Sequence, residues 1–116
     1  MRKIYRNKNI SVSVGDNESV NFEVRFISDG NSGVTAINIP GDNDPEIHDF
    51  GTVNMGTGSV LKKGDKTIIV SDIINPVPEE TDIIIEYCIN NNLVHRHENP
   101  KSESDQPLII LWIKFN

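Results

Sequence analysis

Residues 19–26 read Ser-Val-Asn-Phe-Glu-Val-Arg-Phe, with Val20, Phe22, Val24 and Phe26 alternating against Asn21, Glu23 and Arg25. Successive side chains of an extended chain point to opposite faces. This period-two pattern therefore suits a strand with one face on a core and one in water, and it fits no helix. Ile10-Ser-Val-Ser-Val14 alternates in the same way, and Gly15-Asp-Asn-Glu18 between them is rich in turn-forming residues. The two segments predict a β-hairpin.

Further strands follow by the same logic. Ser28-Asp-Gly-Asn-Ser-Gly33 predicts a turn, and Val34–Ile39 a strand that stops at Pro40, which has no amide hydrogen to give to a ladder. A short strand is expected around Ile47–Val53, before the glycine-rich connection Gly56–Gly64. Thr67–Ile74, Asp82–Ile89 and Leu108–Phe115 carry large apolar side chains on both alternate sets for part of each run, as central strands covered on both faces do. Between the last two, Asn90–Asn92 predicts a turn, Leu93–His97 a short strand and Glu98–Pro107 an exposed loop.

No segment presents apolar residues at i, i+3, i+4 and i+7 over three turns without an interrupting glycine or proline. The apolar residues are mostly Ile and Val, whose branching at Cβ is costly in a helix and fits a pleated sheet. About seven or eight short strands at turn spacings near 8–12 residues predict an all-β fold. The expected architecture is an antiparallel two-sheet β-sandwich of immunoglobulin-like or jelly-roll type, with a partly closed β-barrel as the alternative. A length of 116 residues fits a single domain spanning 1–116.

The formal charge is −6. Arg2, Lys3, Arg6 and Lys8 all lie in the first eight residues, which leaves seven basic against seventeen acidic residues in the remainder. An acidic body argues against nucleic-acid binding. The basic head is expected to lie along the protein's own acids or to meet an acidic partner. The longest apolar run, Leu108–Ile113, is far short of the roughly 20 residues that span a bilayer, and no apolar leader follows the basic start. A soluble cytoplasmic protein is the expectation; a mature secreted form would read the same.

Three groups of residues could carry chemistry. Asp42, Asp44, Glu46 and Asp49 offer hard oxygens for Ca²⁺ at the end of a sandwich, although the segment lacks the glycine and terminal glutamate of an EF-hand loop. His95 and His97 fall on one face of a strand, and with His48 would make a three-histidine site for a transition metal, with Glu98 as a conceivable base. Trp112 would stack on a sugar ring if exposed, but in so apolar a run it is expected in the core. Cys88, the single cysteine, excludes an internal disulfide and is expected to be buried. No Gly-x-Ser-x-Gly elbow, dinucleotide fingerprint or phosphate loop occurs.

With no catalytic constellation, the leading expectation is a non-enzymatic β-sandwich module for protein–protein interaction or homo-oligomeric assembly, without a cofactor. An apolar edge formed by Leu108–Phe115 is the suggested self-association element. A calcium-dependent carbohydrate- or lipid-binding domain is the first alternative, and a small histidine-site metalloenzyme the second.

Overall fold

In the computed structural model, which describes residues 2–15, 18–38, 46–48, 51–57 and 66–115, with 46–48 and 51–57 as backbone alone, the alternating segments form two sheets. The strands are β1 (Ile4–Val12), β2 (Ser19–Phe26), β3 (Ser32–Ile37), β4 (Glu46–His48), β5 (Gly51–Thr57), β6 (Lys66–Ile74), β7 (Asp82–Ile89), β8 (Asn92–Pro100) and β9 (Leu108–Phe115). Seven of them make sheets of four and three strands. The backbone of β4 and β5 extends these to five and four, in the orders β1-β9-β6-β3-β4 and β5-β2-β7-β8. The sheets do not close into a barrel, and the architecture is the expected β-sandwich. Among the described residues no helix is long and apolar enough to cross a membrane.

One core joins the inward faces. Ile37, Ile69, Ile73, Ile109, Leu111, Ile113 and Phe115 from one sheet meet Val20, Phe22, Val24, Ile83, Ile85 and Tyr87 from the other, all buried. Each such side chain contributes roughly 1.5–3 kcal/mol by leaving water. Polar residues of the same sheet share this interior: Thr35 and Ser71, paired across the β3–β6 ladder, bond through their hydroxyls at 2.9 Å, and Thr67 donates to the Asn38 carbonyl, so none of the three is left unpaired.

The expected first hairpin does not form. β1 belongs to the five-stranded sheet and β2 to the four-stranded one, so the chain changes sheets at Gly15 instead of folding back. β1 pairs with β9, in parallel, which departs from an all-antiparallel sandwich. It begins at Ile4, inside the basic head, because the backbone of Tyr5-Arg-Asn7 completes a ladder whatever its side chains carry. β9 is no edge strand: it lies between β1 and β6 and is hydrogen-bonded on both sides. The edges are β1 and β4 in one sheet, β5 and β8 in the other.

The loops at one end are tied by Asn75, which is 1% exposed. Its amide donates to the Asp29 carbonyl at 2.9 Å and to Asn31 Oδ1 at 2.8 Å, and its oxygen accepts from the Val77 amide at 3.1 Å. Gly30 in the same cluster has φ 78°, and a Cβ there would sit 2.0 Å from Val77 Cγ2, so the turn requires glycine. The β7–β8 turn uses Asn90 and Asn91 at φ 51° and 65°, the pair of positive values that marks a type I′ hairpin. Asn90 also accepts from the Asn21 amide at 2.8 Å and donates to Glu18, fastening the turn to β2.

Candidate functional site

The two outer faces of the sandwich differ in kind. On the four-stranded sheet, Glu23 and Arg25 pair at 2.5 Å, and Arg96 reaches Glu86 at 3.3 Å and Glu98 at 3.8 Å. Cys88 lies beneath these charges, register partner of Glu23; it is buried as expected, though against charged side chains, and burial pushes its thiol pKa up. The outer face of the five-stranded sheet is apolar across its middle. Val34 and Ala36 on β3, Ile68 and Val70 on β6 and Ile110 on β9 share it, with Val34 43% and Ile68 38% exposed. Salt-bridged side chains solvate the first face, whereas the second leaves contiguous aliphatic surface in water.

Trp112 stands on this second face, half-buried, which corrects its expected place in the core. In β9 the inward positions are Ile109, Leu111, Ile113 and Phe115, so Trp112 must point outward with Ile110. A bulge in β1 shapes its surroundings. Asn7 pairs with Leu111 and Ile10 with Ile113, so two residues, Lys8 and Asn9, oppose Trp112 alone. The extra residue reverses the side-chain parity of β1. It turns Ile10 and Val12 in to the core and leaves Lys8 and Asn9 exposed beside the indole.

The result is a groove of about 460 Å³. Its polar lining is Lys8, Asn9, Ser11, Lys66 and Lys114 around Trp112. The Lys8 ammonium lies 5.8 Å from the centre of the indole ring, within cation–π range. Lys66 and Lys114 are register partners on β6 and β9. Among the described residues, none of the three lysines is in an ion pair. Two other residues of the basic head behave differently: Arg2 pairs with Asp72 and Lys3 with Glu103, so this part lies along the protein's own acids.

His95 and His97 share the inward face of β8, as their spacing predicts, but they are not exposed: His97 is 5% exposed and His95 half-buried. His97 Nε2 is 2.7 Å from Asn99 Oδ1. The Asn99 amide donates to the carbonyls of Pro100 and Ser104, which leaves its oxygen as acceptor and puts the imidazole proton on Nε2. The ring meets Tyr5 edge-on at 4.6 Å between centroids, across the gap between β8 and β1. The Tyr5 hydroxyl turns towards Glu103 without a hydrogen bond of ordinary geometry, and burial together with that carboxylate pushes its pKa up to about 12. Burial lowers the pKa of His97, against the opposing pull of Asn99, Glu103 and Glu98, and burial with the neighbouring His97 lowers that of His95.

His48 lies on β4, at the opposite end of the five-stranded sheet from β1, beside which β8 packs. Four ladder spacings, roughly 19 Å, separate β4 from β1. Of the expected calcium ligands, Glu46 also lies on β4, and Asp42, Asp44 and Asp49 lie outside the described residues. Among the described residues no group of three or more His, Cys, Asp or Glu side chains is close enough to hold a metal ion.

The chain matches no family model, and neither a curated protein nor a solved structure matches it.

Proposed function

We propose that the chain is a non-enzymatic β-sandwich binding module that docks a protein surface, a second copy of itself included, on the outer face of its five-stranded sheet. What supports this is the contrast between the two outer faces: one is covered by ion pairs, the other carries Val34, Ala36, Ile68, Val70 and Ile110 side by side, with the Arg2–Asp72 pair at its Val34 margin. Covering such a strip removes aliphatic surface from water at about 25 cal/mol per Å², a gain reduced where the Arg2–Asp72 pair beside Val34 is covered with it.

Sedimentation velocity over a wide concentration range tests it, comparing the wild type with Ile68→Asp and Val34→Asp. Concentration-dependent association that either aspartate abolishes, with the fold intact by circular dichroism, is the expected result. A wild-type protein that stays strictly monomeric and turns over members of a substrate panel overturns the proposal.

A further inference from the structure

Trp112 is the chain's single tryptophan, and its groove is anomalous in charge. On a protein of formal charge −6, its lining among the described residues has three lysines and no acidic residue. Lys66 and Lys114 face each other directly across the β6–β9 ladder, a like-charge arrangement that destabilises a sheet. The opposite outer face shows the alternative: there each arginine has its carboxylate. A cluster of cations held together without a described counter-charge is suited to an anion brought from outside.

The chemistry around the lysines narrows the ligand. A half-buried indole offers a flat apolar surface for stacking. Asn9 and Ser11, exposed on the bulged strand, add an amide and a hydroxyl, each able to donate and accept, as sugar hydroxyls require. The volume of about 460 Å³ is that of a site for a small ligand. A long phosphate polymer is disfavoured, since seventeen acidic residues on the chain would repel it.

We propose that this groove binds an acidic saccharide, its apolar ring face on Trp112 and its carboxylate or sulfate among Lys8, Lys66 and Lys114. The ligand takes the position over the indole that the Lys8 ammonium holds in the free protein, and Lys8 exchanges its ring contact for the anion. This goes beyond protein docking on the aliphatic strip: it uses the Trp112 end of the same face, where Ile68 of the strip borders the indole, and it stands if the protein proves monomeric.

The single tryptophan makes the test direct. Its fluorescence is titrated with an oligogalacturonate, a sulfated oligosaccharide, a neutral malto-oligosaccharide and an oligothymidylate. The expected result is a saturable change with at least one acidic sugar and none with the neutral one, and the first two arms distinguish carboxylate from sulfate. In the Lys66→Ala/Lys114→Ala variant the affinity falls by about tenfold or more, while the melting temperature is no lower than that of the wild type. Trp112→Leu, followed by calorimetry, loses the binding heat. The proposal is overturned if no acidic sugar saturates the signal or the neutral sugar binds as tightly. It is equally overturned if oligothymidylate binds more tightly than either acidic sugar, or if the double-lysine variant keeps full affinity.

Discussion

Lys66 and Lys114 are register partners on adjacent antiparallel strands, so their ammonium groups leave the same face of the sheet side by side. Replacing one with an acid converts repulsion into attraction. Lys114→Glu is expected to raise the melting temperature by about 1–4 °C in low salt. In molar salt the gain should shrink, because screening weakens exposed pairs. A melting curve unchanged at low salt would show that the two lysines do not oppose each other.

Asn75 ties three segments through one side chain, since Asp29 and Asn31 precede β3, Val77 follows β6, and Lys101 after β8 lies 3.4 Å from its oxygen. Asn75→Ala would leave the Asp29 carbonyl and the Val77 amide without this partner. A loss of about 2–4 kcal/mol is expected in denaturant unfolding. A loss under about 1 kcal/mol would mean that water replaces the side chain.

Asn91 has φ 65°. Asn91→Gly should keep or raise stability, whereas Asn91→Val should cost about 1–2 kcal/mol, because a branched side chain is strained in the left-handed region. Equal melting temperatures for the two variants would show that the turn has another geometry in solution.

His97 links stability to pH. Its pKa is lowered in the folded protein by burial, from an ordinary value of 6.5, so between those values the unfolded chain binds the extra proton. Its contribution is therefore fully present above pH 6.5 and is lost as the pH falls towards the folded-state value. The melting temperature should drop across that window. The drop should be smaller in His97→Gln, with the residue due to His95, whose pKa is shifted in the same direction. An NMR titration of the His97 ring with a midpoint above 6.5 would contradict this.

Much of the fold is legible in the sequence where one rule decides. β7 and β9 occupy the expected residues, and β2 follows its alternation from Ser19 to Phe26. β1 was hidden because its first half is charged and because the bulge at Lys8 and Asn9 breaks the period. Ile10 and Val12 thus read as the first half of a hairpin with β2, although they belong to another sheet. β8 runs on to Pro100, beyond its expected end at His97, since its inward Asn99 bonds to the following loop through a side chain that reads as a turn residue.

The Trp112 groove was the least visible feature. A run of six apolar residues gives no sign of which alternate set faces out, and that depends on partners distant in sequence, Lys66 on β6 and Lys8 on β1. Spacing did put His95 and His97 on one face, but it could not tell an inward face from an outward one.

The central position of β9 has a temporal consequence. β1 and β6 do not touch as ladder partners; each is joined to β9, which is made more than thirty residues after β6 has ended. A chain growing on the ribosome can zip β7 to β8 through their two-residue turn as soon as both emerge. The other sheet remains two separated pieces, with backbone groups of β1 unsatisfied, until Leu108–Phe115 inserts between them. Assembly of that sheet is consequently slow and late, as non-local pairing requires, and in the interval β1 and β6 present the same open slot to any other extended chain.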